Sequence, residues 1–219
     1  DESYKRARAH LNDYLLTGYL TPIFTNDLKT QILNFDQNVM IYENLLGFGE
    51  KLLENAKNKF IAGCELTTVY NSSKYGDACA ELTLASPEAA KKYKLEPIAK
   101  LLAYAEHKEK EPKDFVIAPV GAVLKALKIA KLSLDKIGAF WVNEAFPVSP
   151  LNFMRTLGIP WEIVNPWGGA IAFGHALGAT GAVLCVNAIC QATVEEKKYV
   201  VVSLCNAIGE ATAAIFEIL

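Results

Sequence analysis

Three short segments in the second half of the chain set polar, proton-handling side chains among glycines. The first, Asn143-Glu144-Ala145-Phe146, follows an apolar run of strand length. Side chains at the C-terminal ends of strands in open α/β sheets face the usual ligand crevice. An Asn there donates a hydrogen bond or fixes a water that does, and Glu144 has the chemistry of a base. A plain turn is the competing reading, because Asn and Pro favour turns. The second segment runs from Asn165-Pro166-Trp167-Gly168-Gly169 through Gly174-His175 to Gly181-Ala182. Gly168 and Gly169 allow backbone shapes that a Cβ forbids. His175 reads as the start of a long apolar helix, where the positive helix end disfavours imidazolium and keeps the ring neutral. The third segment, Cys205-Asn206-Ala207-Ile208-Gly209, ends a hydrophobic strand. A thiol there shuttles a proton if a neighbouring His tunes it. A buried, inert cysteine is the alternative.

These side chains need elements that bring strand ends together. Residues 1 to about 62 read as mostly helical, with Tyr4–Leu16 and Asn38–Phe60 at helical spacing, a loop through Thr21-Pro22 between them, and no chemistry on them. Ala78–Leu84 has strand length, and Ser86 caps a short helix to Tyr93 with Pro87 and Glu88 in its first turn. A strand at Ile98–Tyr104, a charged loop at Glu106–Asp114 and a helix from Pro119 to about Lys131 come next. Then come a strand at Ala139–Val142, a helix from about Pro147 to Leu157, and the apolar helix from about Gly174 to Gln191. Strands at Tyr199–Leu204 and Ala211–Ile218 close the chain as a hairpin around Ala207–Gly209. Strands alternating with helices, then a hairpin, predict an α/β layered domain.

Bulk properties narrow the function. The 219 residues suffice for one well-buried domain or one domain and part of another. A net charge of −2 gives no basic excess for a nucleic-acid partner. The five cysteines, Cys64, Cys79, Cys185, Cys190 and Cys205, form neither a disulfide framework nor a C-x-x-C pair, so no metal site is expected and a reducing, intracellular compartment is. No apolar run is long enough for a membrane span. With no initiator Met and Asp1-Glu2 leading into a polar helical pattern, the chain is expected to begin inside a longer sequence. His10 and His107 read as solvated surface residues, and Trp141, Trp161 and Trp167 as packing, with Trp167 a candidate to line the site.

Taken together, the three segments resemble the thiolase family, whose motifs run N-E-A-F, then N-x-x-G-G-A-I-A-x-G-H-x-x-G-A-[ST]-G-A, then C-x-G-G-G. The first two occur nearly unbroken and the third in part. A histidine where Asn143 stands would mark a ketosynthase relative, so the thiolase branch fits better. Asn71-Ser72-Ser73 with Asp77-Ala78, and Phe115–Leu127 through Pro119 and Ala122, resemble two further family segments. Residues 64–219 are covered, and 1–63 loosely resemble the second part of the family's loop domain.

The resemblance implies a layered α-β-α-β-α thiolase fold, of which this chain is the C-terminal half plus part of the loop domain. It implies a division into a partial helical loop domain at 1–75, the tail of the N-terminal domain at 76–96, and the C-terminal domain at 97–219. It implies an acyl-CoA acyltransferase that joins or cleaves 3-ketoacyl-CoA by Claisen chemistry, with coenzyme A thioesters as substrates and no prosthetic group. Cys205 becomes the acid/base, Asn143 the holder of the water in one oxyanion hole, and His175 the residue that shares that hole and activates the nucleophile. Ser73 touches the pantetheine arm, and Ala207 and Gly209 belong to the turn that binds substrate. The nucleophilic cysteine is expected in an N-terminal half, before Asp1, so a completing half or chain is an expected partner, in a homo- or hetero-oligomer. The mitochondrial matrix is the favoured compartment, with peroxisome and cytoplasm as alternatives. Departures from the pattern favour a second reading, an inactive structural subunit. Ala207 and Ile208 replace glycines, Ala176 replaces a proline, and Val116, Ala118 and Lys74 replace glycines. The Cβ of Ala207 is expected to restrict the turn.

Overall fold

The computed structural model describes residues 2–10, 13, 23–24, 31–33, 67–68 and 71–219. They fall into two compact units. The first holds Asp1–Asp77, Glu144–Val148 and Trp167–Ala176; the second holds Ala78–Asn143, Ser149–Pro166 and Leu177–Leu219.

The first unit opens with helix α1 (Glu2–Ala9). Of the expected continuation of that helix to Leu16 only His10, in a turn, and Asp13 are described, and the helix at Asn38–Phe60 and Cys64 lie outside the described residues. Strands β1 (Ile23–Phe24) and β2 (Gln31–Leu33) pair antiparallel, between the helices expected at Tyr4–Leu16 and Asn38–Phe60. β-Branched and aromatic residues on both sides of a connection suit a ladder better than a helix.

The second unit begins extended. Ala78–Leu84 pairs with no strand among the described residues, so the strand expected there is absent. Its backbone groups have no neighbouring ladder to complete. Helix α2 (Pro87–Tyr93) forms as expected, with the Ser86 Oγ accepting from Ala89 N–H at 3.1 Å, but it buries none of its residues.

The rest of the second unit is one mixed sheet. Its strands are β3 (Ala99–Lys108), β4 (Ala139–Val142), β5 (Tyr199–Cys205) and β6 (Glu210–Ile218). The order is β3-β6-β5-β4, antiparallel except for the parallel β4–β5 pair. Charged residues suggested a loop from Glu106, yet β3 continues to Lys108. Its partner β6 explains this, because Lys108 pairs with Glu210 and the two side chains form a 3.0 Å ion pair. Helix α3 (Ala118–Ala130) starts with Pro119 in its first turn and packs Ala122, Val123, Ala126 and Leu127 against Ala103, Phe140, Val201 and Ile215. Helix α4 (Val148–Leu157) adds Phe153, whose ring meets Phe140 edge-on at 5.6 Å. Full burial of side chains this size stabilises by about 1.5–3 kcal/mol each.

On the other pleat Trp141 is buried and donates its Nε1–H to Gln191 of helix α6 (Thr180–Val194) at 3.3 Å. Both faces of β4 and β5 are therefore covered. This explains why these strands read as continuous apolar runs. The long helix starts at Thr180, not Gly174 as expected. A one-turn helix, α5 (Ala170–Phe173), ends at Gly174, whose φ of +93° breaks the helical path.

Asn165 secures the free side of β4. Its Oδ1 accepts from Val142 N–H at 2.7 Å, and its Nδ2 donates to Val142 C=O at 2.8 Å. Its backbone N–H reaches Phe140 C=O at 2.8 Å, and its φ of +46° is one that Asn tolerates. The carboxamide thus stands in for a neighbouring strand. Asn165→Ala, which leaves both buried Val142 groups unsatisfied, is expected to destabilise the chain by about 2–4 kcal/mol in urea titration. A loss below about 0.5 kcal/mol contradicts this role.

Candidate active site

The sheet delivers Asn143 and Cys205 to the same edge. β4 and β5 run parallel with Val142 opposite Ser203, and Asn143 N–H extends the ladder by donating to Ser203 C=O at 3.0 Å. Asn143 is 1% exposed. Cys205 is the last residue of β5, half-buried and paired with Ala211 of β6. Ser203 pins this corner, its buried Oγ donating to Thr212 C=O at 2.8 Å. Sequence reading passed over Ser203 and gave Asn165 no task. An Asn before Pro, 23 residues after the end of the apolar run at Val142, was the available signal for the second.

The turn after Cys205 answers one concern raised by the sequence. Ala207 and Ile208 keep negative φ, so their Cβ atoms cost no backbone strain. Only Gly209 takes the left-handed region, at φ +88°, where a Cβ would also lie 3.1 Å from Pro112 Cα. The one position that needs glycine has it. Ala207 is exposed, and its N–H makes no hydrogen bond among the described residues.

His175 and Ser73 belong to the first unit. His175 lies in an extended stretch bridged to Tyr75, its N–H donating to Lys74 C=O at 2.7 Å. It is not at a helix N-terminus, so a helix dipole is not what keeps it neutral. Burial does that, pushing the imidazole below its ordinary pKa. Ser73 uses both its N–H and its Oγ–H to donate to Ala145 C=O, at 3.2 and 3.0 Å.

Glu144 is held in a buried network of hydrogen bonds. The side chain is 2% exposed, and Oε2 accepts from Ser3 Oγ–H at 2.6 Å and from Ile171 N–H at 3.1 Å. Ser3 Oγ in turn accepts from Gly169 N–H at 2.9 Å. A Cβ on Gly169 would fall 2.4 Å from the carboxylate carbon, and one on Gly168 would fall 2.6 Å from Ser3 C=O. The glycine pair is therefore needed for α1 and Glu144 to close on this loop. The tryptophan beside them, Trp167, is fully buried and stacks on His10 with ring centroids 4.9 Å apart. His10 and His107 are partly buried, not fully solvated as expected: His107 Nε2 lies 2.9 Å from Glu109 Oε1, and its ring fills the space a Cβ on Gly121 would need.

Burial pushes the Cys205 thiol up from 9.0 to about 11. At neutral pH the sulfur is therefore protonated, ready to give a proton and reluctant to act as a nucleophile. Among the described residues no group of three or more His, Cys, Asp or Glu gathers as metal donors, and no helix is long and apolar enough to cross a membrane. In the 219-residue chain, alkylation of Cys205 by iodoacetamide, followed by peptide mass spectrometry, is expected to rise with pH toward a plateau beyond pH 10. At pH 7 it runs about 100-fold slower than at an ordinary thiol. A plateau at or below pH 9 contradicts the desolvation account.

A family model described as "Thiolase, C-terminal domain" matches residues 95–218. Acetyl-CoA acetyltransferase IA of Candida tropicalis is 34% identical over 98% of this chain and 52% of its own length. A probable acetyl-CoA acyltransferase of Staphylococcus aureus is 41% identical over 68% of the chain and 37% of its own length. A thiolase from Ascaris suum, solved in complex with coenzyme A, superposes with a TM-score of 0.84 at 30% identity, over 100% of this chain and 54% of that one. Human mitochondrial 3-ketoacyl-CoA thiolase, also solved with CoA, gives 0.83 at 26% identity, over 100% of this chain and 52% of that one. The chain spans about half the length of the relatives that match it end to end. Since the family model alone spans more than half of these residues, the chain belongs to the thiolase family.

Proposed function

We propose that this chain is the C-terminal portion of a thiolase-type acyl-CoA acyltransferase, working with an N-terminal half that carries the nucleophilic cysteine. The observation that carries the reading is the delivery of Asn143 and Cys205 to the ends of neighbouring parallel strands, with an unstrained turn after the cysteine. Residues 97–219 act as the C-terminal domain, 76–96 as the tail of the N-terminal domain, and 1–75 as part of the loop domain. The substrates are 3-ketoacyl-CoA and coenzyme A.

In thiolysis the nucleophile of the completing half attacks the keto carbon. The bond to the α-carbon then breaks, and its electrons pass to the departing acetyl-CoA as an enolate. Cys205 delivers a proton to that carbon, a task that suits a thiol protonated at rest. Asn143 holds the water that donates to one oxyanion, and neutral His175 shares that hole and activates the nucleophile. Ala207 offers its N–H to the second oxyanion, and Gly209 shapes the turn that carries it. Ser73 contacts the pantetheine arm.

Three features support a completing half. Ala78–Leu84 is extended without a partner strand among the described residues, α2 buries nothing, and α6 is apolar nearly all round yet leaves Val183 and Val186 only half-buried. A helix apolar on every side belongs in an interior. None of the described cysteines sits at a strand-to-helix elbow, where the nucleophile would be expected: Cys79 is in the extended segment, and Cys185 and Cys190 are within α6. The intact turn gives no support to the alternative of a purely structural subunit. We favour a homo- or hetero-oligomer in the mitochondrial matrix, serving fatty-acid metabolism. One similar structure is a human mitochondrial thiolase, although a cytosolic relative is also similar.

In the completed assembly, Cys205→Ser is expected to lower thiolysis of acetoacetyl-CoA by about 10²–10⁴-fold, the usual worth of an acid/base group. If the intact assembly shows no thiolysis and Cys205→Ser changes nothing, the reading is lost.

A further inference from the structure

The turn that carries Cys205 and Ala207 is gripped by side chains that none of the assignments above uses. Asn206 Oδ1 accepts from two backbone groups, Ile208 N–H and Glu210 N–H, both at 3.1 Å. Its Nδ2 donates to Glu210 Oε2 at 3.1 Å. The other carboxylate oxygen of Glu210 accepts from Lys108 Nζ at 3.0 Å, across from the last residue of β3. The backbone adds Asn206 N–H to Glu210 C=O at 2.8 Å and Glu109 N–H to Gly209 C=O at 2.7 Å. Asn206 first, and then Lys108, hold the Glu210 carboxyl below the usual carboxylate range, so it is ionised at neutral pH.

The two ends of a carboxamide have nearly the same shape and opposite hydrogen-bonding character. Asn206 caps this turn only when its oxygen, not its nitrogen, faces the two N–H groups. A carboxylate accepts and never donates, so Glu210 beside Nδ2 selects that orientation. Lys108 keeps the carboxylate in place from the neighbouring strand. The ion pair is exposed and adds little to global stability. Its effect falls on the residues between Cys205 and Gly209, where the resembling family pattern has glycines and this chain has Ala207 and Ile208.

We propose that Glu210 and Lys108 are positioning residues, which orient Asn206 and through it set the Cys205 thiol and the Ala207 N–H for the reaction. This rests on the function proposed above. Neither residue touches a reacting atom in this account.

The test uses the completed assembly and two readouts, steady-state thiolysis of acetoacetyl-CoA and amide hydrogen exchange at residues 206–210. Glu210→Ala is expected to speed exchange across the turn about 10-fold. It is also expected to lower kcat about 10-fold or more while KM stays within about twofold, as a misplaced catalytic group does. The melting temperature is expected to stay unchanged. Lys108→Met gives a smaller change in the same direction, and Lys108→Arg restores it. Asn206→Asp sets two carboxylates against each other and loosens the turn, and the added change Glu210→Gln tightens it again. Exchange and kcat both within about twofold of wild type in Glu210→Ala overturn the proposal. So does a loss of kcat that follows a fall in melting temperature. An assembly in which wild type does not turn over removes the functional reading, and turn exchange in the Asn206→Asp/Glu210→Gln pair then decides this one.

Discussion

The parallel pairing of β4 with β5 is the constraint on which the candidate site depends. β4 is only four residues long, so its end is well placed only if both of its edges are held. β5 holds one edge, and Asn143 N–H adds a rung past the strand proper. The Asn165 carboxamide holds the other by satisfying both backbone groups of Val142. Phe140 and Trp141 lock the two faces, one against Phe153 and the α3 side of the sheet, the other against Gln191 of α6. Any shift of β4 by one residue would turn both aromatic rings to the wrong face. Asn143 therefore inherits its place from a register that the core enforces.

Cys205 is held differently. It stands at the entry of a hairpin between two long antiparallel strands, and the hairpin is closed by hydrogen bonds of Asn206 and by the left-handed backbone of Gly209. Its thiol is shaped mainly by burial, which favours the protonated form and outweighs a backbone hydrogen bond that favours the thiolate. His175 is neutral for the same physical reason, although it sits in the other unit and in an extended segment. Desolvation, not a nearby charge, is thus the common electrostatic theme of the two ionisable candidates. In the first unit, the buried Glu144 spends its hydrogen-bonding capacity on Ser3 and Ile171, and the two glycines beside it exist to let that contact form.

Much of this was legible in the sequence. The β4, β5 and β6 strands, the Ser86 cap, the Pro119 helix start and the strand-end positions of Asn143 and Cys205 follow from apolar runs and turn chemistry. What the sequence hid is physical in kind. The extension of β3 through Glu106–Lys108 depends on a partner strand more than 100 residues away, which local charge does not reveal. The late start of α6 depends on Gly174 entering the left-handed region, a dihedral that the residue pattern around it does not reveal. The pairing of Ser3 with Glu144 joins residues 141 positions apart. The harmlessness of Ala207 and Ile208 could be judged only from their dihedrals.

In the proposed function, Cys205 moves the proton at the α-carbon of acetyl-CoA. The most direct measurement is solvent exchange at that carbon, free of carbon–carbon bond chemistry. The completed assembly, held with acetyl-CoA in D₂O, is predicted to carry deuterium into the acetyl methyl group, read by mass spectrometry. The same assembly with Cys205→Ala is predicted to carry in none above the uncatalysed rate. Equal exchange in the two proteins, or none in the wild type while thiolysis proceeds, would contradict the account.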